Sequence, residues 1–359
     1  MAGPQNVSVS ASPTPYLLSA KADFRFILVG GVLLSLLLIV ISFYDLGFLF
    51  VALSFSVMVD FPHVLHTYLR IGLDRAEYER YAAPIKFGFL AIAATCGVLM
   101  AFGQLTILLA IWVYWQPYHV IKQHHGISSL YMVKGGYRGD RRWLRWLLFA
   151  GCVAPILYRA ATTGLTFGHY ELFGRVLPFS GMHVPTPPIP LALVAGVYAV
   201  ALVSAGGVAL QAARRQAPPW PALLLVGLAV GTYNLAYLLV QDLYVSILAA
   251  TAVHSLQYHA ICYLFIRGKH GRRAPDKPDL PRPLGLRILA AISRDNGLTL
   301  YLGILLAAGA LLASTEFMWL GLLPFIVVLH HFFIDSVIWK GNRHPELGTF
   351  MRLRPAAAA

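Results

Sequence analysis

At 359 residues, 58% hydrophobic, 12% charged and a mean hydropathy of +0.66, the chain is too apolar for a soluble globular protein. Its formal charge of +13 would suit nucleic acid, but Lys and Arg gather in short segments between apolar runs. Membrane topology produces that distribution, and nucleic-acid binding is set aside.

Residues 1–22 are rich in Ser, Pro and Ala and lack the basic start and apolar core of a signal peptide, so a disordered tail is expected. Ten apolar spans follow, at about 26–43, 46–69, 84–103, 105–133, 144–161, 190–211, 220–240, 243–266, 298–314 and 317–339. Each can cross roughly 30 Å of hydrocarbon as a helix. Cys96, Cys152 and Cys262 all lie within these spans, which argues against disulfides or a cysteine metal site. The connector from Thr162 to Pro190 holds His169, Glu171, His183 and the run Pro185-Thr186-Pro187-Pro188, and reads as a Pro-rich outer connector, with a lid or amphipathic cover as the alternative. The basic, proline-containing segment 267–297 reads as a solvated linker on anionic headgroups, and 346–359 as a second disordered tail.

The expected fold class is therefore all-α: one polytopic helical bundle over 23–345. The turns at Tyr44-Asp45, Gly103-Gln104, Gln241-Asp242 and Thr315-Glu316 carry no Lys or Arg. Those at Arg70 to Lys86, Lys134 to Arg145, Arg214-Arg215 and Arg267 to Arg294 are basic, which puts both termini in the cytoplasm.

Nine of the thirteen histidines fall inside spans: His63 and His66, then His119, His124 and His125, then His254 and His259, then His330 and His331. The four spans share one direction. At about 1.5 Å per residue the clusters share a layer roughly 10–20 Å from the inner boundary. Intramembrane ionisable groups are costly and face a bundle interior. Each cluster has polar companions at helical spacing: Asp60 with His63, Gln123 with His119, Gln257 and Tyr258 with His254, and Asp335 with His331. Imidazole and carboxylate together suit iron, manganese or zinc.

The leading metal ligands are His63, His119, His254 and His331, with Asp60 and Asp335 as ligands or supports. His66, His125 and His259 are further candidates, and His124 and His330 helpers. Gln123, Gln257 and Tyr258 are placed to orient ligands or bound water. Lys122 is expected to pair with Asp60 or Asp335, or to reach the headgroups. His270 and His344 read as surface residues, and Trp143, Trp146, Trp220 and Trp339 as an interfacial belt.

The motifs Asp60-x-Pro62-His63, Tyr118-His119-x3-Gln123, His254-x2-Gln257-Tyr258 and His331-x3-Asp335-x2-Ile338-Trp339 resemble those of a group of bacterial polytopic membrane proteins of unassigned activity. A weaker similarity runs to histidine-cluster membrane iron oxygenases: alkane hydroxylases, desaturases and membrane carotene dioxygenases. The spacing departs from the H-x3-H and H-x2-H-H boxes of the first two. What these resemblances imply is a multi-pass protein of the bacterial inner membrane that uses non-haem iron and dioxygen to oxidise a lipid or isoprenoid. Two alternatives stay open: histidines as axial ligands of haem in an electron-transfer protein, and a proton- or metal-coupled transporter.

Overall fold

The computed structural model describes residues 15–44, 52, 54–172, 175–177, 179–271, 283–294, 297–317, 322–340, 346–351 and 353. A short helix α1 (Ala20–Ala22) passes through a π-turn (Asp23–Leu28) into α2 (Gly30–Tyr44). A second π-turn (Ser56–Asp60) leads into α3 (Phe61–Gly72), followed by α4 (Arg75–Ala101), α5 (Leu105–Lys134) and α6 (Arg142–Thr162). After a two-residue antiparallel ribbon, β1 (Glu171–Leu172) with β2 (Arg175–Val176), come α7 (Leu191–Ala213), α8 (Trp220–Leu239) and α9 (Leu243–His270). The chain ends with α10 (Leu284–Ile292), α11 (Gly297–Phe317), α12 (Leu322–Ile338) and α13 (Glu346–Phe350).

Among the described residues, five helices are long and apolar enough to cross a membrane: Ala20–Phe43, Arg75–Ala101, Arg142–Thr162, Leu191–Ala213 and Trp220–Leu239. Helix α11 is apolar over Gly297–Leu311, and Leu322–Ile338 is apolar but shorter, at 17 residues. The other expected spans differ for physical reasons. Helices α5 and α9, at 30 and 28 residues, are long enough but spend interior positions on His, Gln, Ser and Thr. The turn at Asp45 lies outside the described residues.

Helix α9 is the axis of the bundle, with almost every side chain from Leu243 to Ile266 buried. A helix buried on all sides belongs at a core. It contacts α2, α3, α5, α8, α10 and α13. Gly31 permits the close approach of α2, since a Cβ there would lie 2.5 Å from the Cα of Val253, next to His254. Asp242 caps the start of α9 by accepting from the amides of Tyr244 at 2.8 Å and Val245 at 3.3 Å.

Several expected tails and linkers are packed instead. Leu17 is buried, and the Asp23 carboxylate accepts from the amides of Leu17 (2.7 Å) and Leu18 (2.8 Å) and from Tyr131 Oη (3.0 Å). The stretch read as a headgroup linker contains α10, whose Leu289 and Ile292 enter the core; residues 272–282 of it lie outside the described residues. The stretch read as a C-terminal tail opens with α13, which packs on α9 through buried Leu347, and Met351 just beyond it is buried as well. The outer connector is a cover: Leu165, Phe167 and Val184 are buried, and Thr166 pairs with His183 as an isolated bridge.

At the basic end, Asp74 caps α4 and binds Lys269 at 2.8 Å. Burial by itself would raise this carboxyl; the Lys269 hydrogen bond and charge and the Glu77 amide outweigh it and hold the group below the ordinary carboxylate range. A depressed pKa contributes stability above the unfolded value, near 3.9, that is lost as pH falls through the folded value. Asp74→Asn keeps the cap and loses the charge. Thermal unfolding as a function of pH should show the parent more stable than the variant at neutral pH, with the gap closing as pH drops below about 4.

Candidate metal centre

Local backbone delivers the first ligand. Pro62 lacks an amide hydrogen and stands at the start of α3, where that hydrogen has no helical partner, and the π-turn before it rotates Asp60 toward the bundle axis. His63 is 3% exposed. Its Nδ1 lies 3.2 Å from Asp60 Oδ1 and 3.0 Å from Ser255 Oγ, which itself donates to Asp60 Oδ1 at 3.0 Å.

Four imidazoles from α3, α5, α9 and α12 then close a circuit. Ring centroids are 4.8 Å apart for His63–His254, 4.9 Å for His254–His119, 5.0 Å for His119–His331 and 5.1 Å for His331–His63. Every pair meets edge to face, at 68° to 85°. His63 Nε2 and His254 Nε2 approach to 3.2 Å. Two nitrogens bound at about 2.0–2.1 Å to one tetrahedral ion sit about 3.3 Å apart, so this spacing is that of a coordination edge. His119 Nε2, His331 Nε2 and His254 Nδ1 are buried without a hydrogen-bond partner. Orphaned buried nitrogens are costly unless a ligand satisfies them. Two trios have donor atoms within 4.8 Å of one another: His63, His254 and His331, and His119, His331 and Asp335. His331 belongs to both.

Behind His331 stands a second carboxylate network. Thr67 Oγ1 lies 2.8 Å from His331 Nδ1 and donates to Asp335 Oδ1 at 2.8 Å. Tyr258 Oη donates to the same Asp335 oxygen at 2.6 Å, lies 2.7 Å from Thr67 Oγ1 and accepts from Trp339 Nε1 at 3.2 Å. Thus two of the four imidazoles have an Nδ1 oriented by a hydroxyl that is itself bonded to a carboxylate, the arrangement that fixes tautomer and raises basicity in metal sites.

The remaining sequence candidates take other places. His66 and His259 stand outside both trios. His259 Nε2 donates to the Val59 carbonyl at 3.1 Å, its Nδ1 faces His66 Nε2, and His66 Nδ1 accepts from Tyr301 Oη at 2.5 Å. His330 is likewise spent, between the Ile85 carbonyl at 3.0 Å and Tyr68 Oη at 2.8 Å. His125 is half-buried beside Phe149 of α6, off the site. Gln123 donates to the His254 carbonyl at 2.9 Å, and Gln257 joins His124 (2.9 Å) to the Ile27 carbonyl (2.8 Å). Lys122 is exposed, while Asp60 and Asp335 are engaged by His63, Ser255, Thr67 and Tyr258. Trp339 bonds Tyr258 and stacks under the Arg70 guanidinium at 4.1 Å, so it is a wall of the site and not a belt residue. His344 lies outside the described residues. Sequence reasoning missed Thr67 and Ser255. Thr67 stands four after His63 and Ser255 next to His254, so helical spacing alone could have flagged the first.

Chemically, the centre offers up to four imidazoles and two carboxylates with no Lys or Arg paired to either carboxylate among the described ion pairs. Asp335 is buried and Asp60 partly so, and carboxylates inside an apolar bundle need compensating charge, which a divalent cation would supply. His119 also stacks on Phe332 at 4.5 Å, and Phe332 meets Trp115 at 6.0 Å, giving the site an apolar wall. Comparison with protein-family profiles, curated proteins and solved structures returned no match.

Proposed function

We propose that this is a polytopic membrane protein of about ten spans, with both termini on the basic side, that holds one non-haem iron ion and oxidises a lipid or isoprenoid. The observation that carries the reading is the convergence of His63, His119, His254 and His331 from four helices, with a buried nitrogen left without a partner on each of His119, His254 and His331. A thiolate-free nitrogen and oxygen donor set suits iron, with zinc and manganese the competing ions. Bound iron would supply dioxygen activation. The residues of the chain do the rest. Asp60 and Ser255 orient His63; Thr67 and Asp335 orient His331; Tyr258 holds its proton toward Asp335. Phe332 and Trp115 keep water from one side and suit an alkyl or polyene chain arriving from the bilayer. A haem fits poorly, because a 3.2 Å separation of two Nε2 atoms leaves no room for a porphyrin between them.

Elemental analysis of protein purified without chelator should find about one iron per chain, with no haem absorption band. Stoichiometric zinc or haem, or no bound metal, would sink this reading. Mass spectrometry of lipid extracts incubated with the iron-loaded protein and oxygen should show an oxygenated or cleaved product that the metal-free protein does not make.

A further inference from the structure

Three side-chain bridges join α5 to α9 along one seam, and each leaves a buried atom unmatched. Gln116 Nε2 donates to Thr251 Oγ1 at 2.7 Å, and the Thr251 hydroxyl donates onward to the Ile247 carbonyl at 2.7 Å. Gln123 Nε2 donates to the His254 carbonyl at 2.9 Å. His124 Nδ1 meets Gln257 Oε1, whose amide nitrogen is taken by the Ile27 carbonyl. Each chain of bonds ends on a backbone carbonyl, which can only accept, so both amide orientations and the His124 tautomer follow. The unmatched atoms are Gln116 Oε1, Gln123 Oε1 and His124 Nε2, all buried and all lone pairs. Only hydrogen-bond donors can satisfy them.

The seam continues toward the basic end. Positions 116, 119 and 123 share one face of α5, while 124, 128 and 131 share the adjoining face, about 100° further round; Gln123 and His124 carry both faces onto α9. Ser128 is 2% exposed and Tyr131 0%. Tyr131 Oη donates to Asp23, which sits in the first π-turn, and that turn also supplies the Ile27 carbonyl that holds Gln257. From His124 to Ser128 is about 6 Å along the helix and from Ser128 to Tyr131 about 4.5 Å. One bridging water spans either step.

We propose that the α5–α9 seam is a file of ordered water from Asp23 and Tyr131 at the basic end, past His124 and Gln123, to the His119–His254 side of the metal centre. Its ligand is water. Its role, a supply of water and protons to the centre, rests on the metal reading above; its hydration does not. Radiolytic hydroxyl footprinting of the full chain in lipid nanodiscs, washed free of metal with chelator, reads that hydration directly. Tyr131 and Tyr301 are the same residue type and equally buried, but Tyr301 is held in the closed His66–His259 chain. Tyr131 should be oxidised several-fold faster than Tyr301. In His124→Phe the Tyr131 rate should fall toward that of Tyr301, while His124→Gln, which keeps an acceptor, should preserve it. Equal rates for the two tyrosines in the parent, or a Tyr131 rate unmoved by His124→Phe, would overturn the proposal.

Discussion

Replacing His331 by alanine is expected to empty the metal centre, lowering metal affinity by more than about 100-fold, beyond the 10–100-fold typical of losing an outer-sphere partner. His331 is the one imidazole common to both trios, and its unpartnered Nε2 is fully buried. His125→Ala is the matched control, since that ring contacts Phe149 and faces away from the site. It should leave metal content unchanged. His330→Ala sits beside His331 in sequence yet should retain metal and lose only stability, about 0.5–1.5 kcal/mol for each of its two hydrogen bonds, since the Tyr68 hydroxyl keeps the Val327 carbonyl. Competition with a chelator of known affinity, followed by elemental analysis, separates the three variants. Full metal retention in His331→Ala, or its loss in His125→Ala, would remove the basis for this centre.

The contrast between His330 and His331 shows what was readable in advance. Hydropathy, helix direction and the 3.6-residue period placed four histidines at one depth, and a carboxylate beside two of them. Those are local properties of a helix, and the structure brings the same four rings together. Choosing between neighbours was not local. His63 and His66 share a face of α3, but His66 lies one turn nearer the basic end, where Tyr301 of α11 waits for it. His254 and His259 divide in the same way, because His259 meets His66 and the Val59 carbonyl. Thr67 and Ser255 escaped notice since a hydroxyl inside a membrane helix ordinarily bonds its own backbone. Helix α13 is five residues long, too short for any period to appear. Trp339 looked interfacial because its sequence neighbour Lys340 marks a helix end, whereas Arg70 and Tyr258 draw its ring inward.

Thr67→Val should weaken metal binding by about 10–100-fold while the chain still folds. The substitution keeps shape and removes one oxygen that sits within hydrogen-bond distance of three groups: His331 Nδ1, Asp335 Oδ1 and Tyr258 Oη. Without it, the His331 ring loses the contact that sets which nitrogen carries the proton, and rotation about its side chain costs the alignment of Nε2. Asp335 retains Tyr258 at 2.6 Å, so the carboxylate is not stranded and the fold should survive with a loss of about 1–3 kcal/mol. Thr67→Ser restores the hydroxyl and should restore the affinity, which a merely steric role for Thr67 would not require. Asp335→Asn should weaken binding by a similar factor, and the double variant Thr67→Val with Asp335→Asn should be little worse than either alone. Residues in one hydrogen-bonded unit couple by about 0.5–3 kcal/mol, so additive losses would show that Thr67 and Asp335 act on the metal independently. Undiminished affinity in Thr67→Val would mean that His331 is held by packing against His63 and His119 alone, and that the carboxylate behind it serves Tyr258 instead.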